Sequence, residues 1–124
     1  TSEANISGYP VYDREILKSE AMESLGEVSL IGDAAHPMSP FKGQGANQAL
    51  LDALALARGI SRGCQPSSEW REVGIRKSVL TEFEAEMIHR TTPKVKDSAA
   101  AAKFLHSKQI LKVQNKPRGR LFKI

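Results

Sequence analysis

The chain has 124 residues, 40% hydrophobic and 26% charged, the balance of one soluble globular domain. No apolar run reaches membrane-spanning length, and no charged-then-apolar leader opens the sequence; the expected setting is the cytoplasm, with no membrane span. The lone Cys64 excludes an internal disulfide, and no Cys/His cluster has zinc spacing, so no metal site is expected. Net charge is +4, from 18 Lys+Arg against 14 Asp+Glu, and the surplus gathers in "KQILKVQNKPRGRLFKI", which has six basic residues and no acid. Phe122 is its one aromatic residue. Charge without interleaved stacking partners is a solvated tail, residues 114–124, and not a specific nucleic-acid reader.

In chain order, "YPVYDRE" opens with Tyr9, Val11 and Tyr12, which favour a short strand, and Pro10 confines it to an edge. "LKSEAMESLGE" has weak helical character closed by Gly26. "VSLI", Val28 to Ile31, reads as a buried strand ended by Gly32 and Asp33. Pro37 and Pro40 exclude a regular helix between Ala34 and Lys42. From Gly45 the period becomes helical. Ala46, Ala49, Leu50, Ala53, Leu54 and Ala57 share one flat apolar face, and Gly59 and Gly63 mark the end.

Ser67 or Ser68 can cap a second helix from about Glu69 to Arg90, with Val73, Leu80, Phe83 and Met87 as its buried stripe. Its acids Glu82, Glu84 and Glu86 read as a solvated face. Pro93 predicts a break or kink, because proline inside a helix costs about 3 kcal/mol. Thr92 then caps a last helix through "KVKDSAAAAKFLHSKQIL", Lys94 to Leu111, with a narrow Val95, Ala99, Ala102, Leu105 stripe. Two short strands cannot form a stable sheet by themselves, so partner strands are expected from elsewhere.

Function concentrates in "GDAAHPMSPFKGQGANQALLDALALA". Ligands of open α/β folds bind at the carboxyl ends of strands, where Gly32 and Asp33 stand. Gly32 allows close approach, and Asp33 offers a carboxylate to sugar-like hydroxyls. In "GQGAN", the small residues Gly43, Gly45 and Ala46, with Gln44 and Asn47, leave the first N–H groups of a helix open to an anionic ligand. A nicotinamide-dinucleotide fingerprint is rejected: "GQGANQ" has Gln48 in the third glycine place, and no acid stands near the ~20-residue offset.

This stretch resembles the second flavin motif of the FAD-dependent monooxygenase and aromatic hydroxylase superfamily: Gly-Asp, Ala-Ala-His, a proline four residues on, Gly-Gln-Gly-x-Asn, then an Asp in the helix. "FEAEMIHRTTPKVKDS" is similar to the long helix that follows it, and "YPVYDRE" to the strand that precedes it. The resemblance implies an α/β fold: the C-terminal part of an FAD-binding domain, mostly helical in this chain with one or two short strands. Residues 1–27 would end a substrate-domain sheet, and residues 28–113 would belong to the FAD-binding domain.

The implied activity inserts one oxygen atom of O2 into a small organic substrate, with FAD as cofactor and NAD(P)H as reductant. By position, Asp33 would bind a ribityl hydroxyl and Pro40 would lie beside the ring. The N–H groups of Gly45, Ala46 and Asn47 would face its pyrimidine edge, with Gln44 nearby; Gly32 and Gly43 complete the cofactor-binding set. His36 is expected to be a hydrogen-bonded structural residue, and His89 and His106 to lie on helix surfaces. No residue is assigned as catalytic.

The family's Gly-x-Gly-x-x-Gly element, which holds the FAD pyrophosphate, is absent from these residues. They are therefore expected to depend on an upstream FAD-binding segment of the same enzyme and not to form a working oxygenase alone. The alternative is a non-catalytic helical remnant that binds a protein or polyanion.

Overall fold

The computed structural model describes residue 8 and residues 10–112. Tyr9 and the basic tail at 114–124 lie outside the described residues. Among the described residues four α-helices carry the fold: α1 (Ser19–Glu23), α2 (Gly45–Gly63), α3 (Trp70–Ile75) and α4 (Thr81–Leu105). Short 3-10 turns at Gly32–Ala34 and Pro40–Lys42 sit between α1 and α2, and a π-helical turn at Arg76–Leu80 leads into α4. The core is small. Met22 from α1, Ala35 from the first turn, and Phe83 and Met87 from α4 are buried together, flanked by Leu17, Leu30, Ala55, Leu56 and Ile88.

The helical half of the α/β expectation holds, and its strands do not form among the described residues. Val28–Ile31 lies in no helix or strand, Ile31 is extended at φ −133° and ψ 164°, and Val28 is 58% exposed. Val11 and Tyr12 are also exposed and outside any strand. A strand exists by hydrogen bonding to a neighbour, and among the described residues no second strand is present to receive these segments.

Helix α2 starts and ends at the expected glycines, but its apolar face is bare. Leu50, Leu51 and Leu54 are exposed, while Gln48 and Asp52 on the other side are buried. Gly59 and Gly63 do more than close the helix. A Cβ at Gly63 would stand 2.7 Å from both the Ser78 carbonyl oxygen and a Val79 methyl, and one at Gly59 would stand 2.9 Å from Val79. The missing side chains let the π-helical turn lie against α2. Ser68 donates to the Gly63 carbonyl at 2.8 Å, closing α2 instead of capping α3.

The single helix expected from Glu69 to Arg90 is interrupted at Gly74, which takes φ 86° and ψ 155°. The Glu27 carboxylate fills the space a Cβ would need and accepts the Arg76 N–H at 3.2 Å. The Arg76 guanidinium then donates to the Gly26 and Val28 carbonyls and grips Glu84 at 2.6 and 3.2 Å. Glu84 is consequently buried, which corrects its assignment to a solvated face; Glu82 and Glu86 are exposed.

Of the break or kink expected at Pro93, the break does not occur: α4 continues through it and ends at Leu105, short of the expected Leu111. Pro93 is exposed, so the carbonyl that loses its N–H partner, that of exposed His89, can turn to water. The hydroxyls of Thr91 and Thr92 donate to the Met87 and Ile88 carbonyls at 2.7 and 2.6 Å, adding bonds beside the gap. Thr92 is thus part of the helix and not a cap.

The Gly63 contact gives a direct test of this packing. Gly63→Ala is expected to lower thermal stability by roughly 1–3 kcal/mol, the usual cost of overpacking, because backbone must move. An unchanged melting temperature would show that α2 and the π-helical turn are not held at this distance.

Candidate functional site: a turn and a helix start joined by a buried carboxylate

Each motif residue occupies a short element whose shape follows from local chemistry. Gly32 is buried and has φ 58°, a left-handed conformation open to glycine. A Cβ there would also come within 3.2 Å of the Ala49 Cβ, so the turn lies directly on α2. The Gly32 carbonyl accepts the N–H groups of Ala35 and His36, each at 2.9 Å, which closes the turn. Asp33 projects from it, exposed, with Oδ1 3.6 Å from where a Cβ on Gly45 would stand. The strand-end carboxylate and the helix start, twelve residues apart in sequence, are therefore neighbours.

The loop between them is pinned to α4. Pro40 opens the Pro40–Lys42 turn, which Gly43 closes at φ 60° with its N–H on the Pro40 carbonyl at 3.0 Å. Phe41 meets His106 edge-on, with centroids 5.2 Å apart, and Lys42 pairs with Asp97 at 3.6 Å. Gln44 precedes α2 without a side-chain cap, and its Oε1 is buried with no partner among the described residues. Gly45 is half-buried, and Ala46 and Asn47 are exposed. The first N–H groups of α2 thus keep the anion-binding character of an uncapped helix start. All eight motif positions, Gly32, Asp33, Pro40, Gly43, Gln44, Gly45, Ala46 and Asn47, fall on the turn, the loop or this first helical turn.

Behind the turn lies a network that reading by apolar period does not reveal. Asp52, wholly buried on α2, accepts the Gly32 N–H on Oδ2 at 2.8 Å. The same oxygen lies 2.6 Å from Nε2 of His36, also wholly buried. Its other oxygen accepts Nη2 of Arg90 at 2.7 Å. Arg90 continues to Gln48 Oε1 at 2.7 Å and to Glu86 at 2.9 Å. Burial disfavours the charge on Asp52, but the bonds from Arg90, the Gly32 N–H and His36 outweigh it and hold the carboxyl below its ordinary range. Arg90 is pushed up: burial opposes its charge, and Glu86 and Asp52 together favour it more.

The expectation for His36 as a hydrogen-bonded structural residue agrees with this geometry. With Asp52 ionised, Nε2 carries the proton and donates. Nδ1 meets no partner among the described residues. His89 and His106 are exposed, on α4 and at its end. The aspartate within the motif was legible as a pattern; its role needed the fold that brings Arg90 to it. Among the described residues no cluster of His, Cys, Asp and Glu could hold a metal, and no helix is long and apolar enough to cross a membrane.

Comparison with known proteins agrees with the motif. Residues 17–69 match the family model described as FAD binding domain. The chain is 39% identical over 92 residues to "FAD-dependent monooxygenase phnB" of Penicillium herquei, covering 74% of this chain and 20% of that protein. It is 38% identical over 65 residues to "FAD-dependent monooxygenase thnD" of Trichoderma harzianum, covering 52% and 16%. To "3-amino-4-hydroxybenzoate 2-monooxygenase" of Streptomyces cremeus it is 35% identical over 91 residues, covering 73% and 20%. No solved structure matches. The chain spans a fifth or less of the length of these relatives. Motif, family match and relatives together show that it belongs to the FAD-dependent monooxygenase and aromatic hydroxylase family.

Proposed function

We propose that this chain is the flavin-holding, C-terminal part of a monooxygenase that inserts one oxygen atom of O2 into an organic substrate, with NAD(P)H as reductant. The observation that carries the reading is the pairing of exposed Asp33 with the uncapped start of α2 at Gly45, inside the residues that match the FAD binding domain. FAD would supply the electron transfer and oxygen activation, and the chain would bind and orient it.

In this reading Asp33 accepts a hydrogen bond from a ribityl hydroxyl. The N–H groups of Gly45, Ala46 and Asn47 face the pyrimidine edge of the ring, with the unpartnered Gln44 Oε1 beside them. Pro40 lies along the ring. Gly32 brings the backbone close, and Gly43 turns the loop into α2. The partial positive charge at a helix start favours negative charge by up to ~2 kcal/mol. For a two-electron couple this is on the order of 40 mV towards the reduced state. His36 is enclosed against Asp52 and has no route to act as acid or base on a substrate.

The partner we infer is an upstream FAD-binding segment of the same enzyme. Exposed Leu50, Leu51 and Leu54 on α2 and the unpaired segment Val28–Ile31 support it, because a sheet supplying neighbouring strands would cover both. The lone Cys64 fits a reducing cytoplasm as the compartment.

Three measurements test the reading. The chain expressed alone is expected to purify colourless or aggregated, and the complete polypeptide that contains it to purify yellow; a complete polypeptide that takes up no FAD would refute the proposal. Asp33→Ala should weaken FAD binding about tenfold or more, since a bond to a charged acceptor is worth ~1.5–3 kcal/mol; unchanged affinity would remove Asp33 from the site. Gly45→Val should lower flavin occupancy with helix content retained. The Cβ itself has room, at 3.6 Å from Asp33 Oδ1, so a loss reports on the ligand; normal FAD binding and reduction would make Gly45 a packing residue only.

A further inference from the structure

A single oxygen atom closes the turn that carries Asp33. Asp52 Oδ2 accepts the Gly32 N–H at 2.8 Å, and the ring of His36 returns to the same oxygen at 2.6 Å. Between them, the Gly32 carbonyl accepts the His36 N–H at 2.9 Å. Both peptide groups of the left-handed glycine are thus held, one by Asp52 and one by the turn itself. The opposite oxygen of Asp52 takes Arg90, which holds Gln48, and the Gln48 N–H bonds Gln44 at the start of α2. One carboxylate therefore ties the turn to the first turns of α2.

We propose that Asp52, acting with His36, is a positioning residue for FAD: it fixes the Asp33 carboxylate against the N–H groups at the start of α2 without touching the cofactor. This rests on the FAD reading above. The chemistry singles out a carboxylate. An asparagine of the same shape has one accepting oxygen. With that oxygen towards Gly32 and His36, its NH2 group meets Arg90, donor against donor. Turned over, it meets the Gly32 N–H instead. In either orientation one side of the connection is lost, and a glycine released from its partner has wide conformational freedom.

The test uses the complete polypeptide containing these residues, with FAD as the probe. Asp52→Asn is expected to raise the FAD dissociation constant about tenfold or more, as for loss of a hydrogen bond to a charged group, and to shift the flavin absorption bands. Without FAD, amide exchange should quicken at Gly32, Ala35 and His36 and stay at the wild-type level in Val95–Ala101. His36→Gln, whose amide can still donate to Oδ2, should remain near wild type, whereas His36→Leu should resemble Asp52→Asn. The two histidine variants decide the matter if Asp52→Asn does not fold. Wild-type affinity, spectrum and exchange in both Asp52→Asn and His36→Leu would overturn the positioning role and leave the FAD reading intact. A wild-type protein that binds no FAD would overturn both.

Discussion

A buried negative charge organises this structure. Removing a carboxylate from water costs several kcal/mol, and attraction offsets that cost only where the geometry is good and hydrogen bonds reach both oxygens. Asp52 meets that condition with donors from three separate elements: the Gly32 turn, the loop at His36, and α4 through Arg90. Each donor is itself constrained. Gly32 sits in a left-handed turn pressed on Ala49, and Arg90 is shared with Gln48 and Glu86.

A second ionic clamp works by the same logic around Arg76. Arg76 joins the Gly26 and Val28 carbonyls to buried Glu84, and Glu27 takes the backbone N–H at the restart after Gly74. The segment entering Val28–Ile31 is thereby fixed although no strand pairs with it. Around these two clamps the apolar surface is incompletely used. Leu50 is 70% exposed on α2, whereas Gln48 and Asp52 are inside. That inversion is what a helix shows when the layer it was made to pack against is supplied by other residues.

The motif loop was legible in the sequence because its residues have few conformational alternatives. Pro37 and Pro40 bar a helix, Gly32 and Gly43 permit left-handed turns, and the run from Gly45 to Gly63 has helical period and glycine at both ends. The structure brings Asp33 close to Gly45. What escaped was decided by contacts distant in sequence. Apolar period places Leu50 and Leu54 inside and is blind to Asp52, whose burial depends on Arg90, 38 residues away. Glu84 passes for a surface acid until Arg76 encloses it. Gly74 breaks a helix that propensity would continue, because Glu27 occupies its Cβ space, and Pro93 is tolerated because its face meets water. The strands read from Val11 and from Val28–Ile31 failed for another reason: pairing is a property of two segments, and among the described residues no partner segment is present.

The pH dependence of thermal unfolding, compared between the wild type and Asp52→Asn in the complete polypeptide, probes the buried charge most directly. Asp52 has a lower pKa folded than unfolded, so protonation favours the unfolded chain. Its stabilising contribution is full above the unfolded value of about 3.9 and declines as pH falls towards the folded value. The stability gap between the two proteins should therefore be constant near neutral pH and narrow below about pH 4. A gap that stays the same through that acid range would contradict a carboxylate held ionised by Arg90, Gly32 and His36.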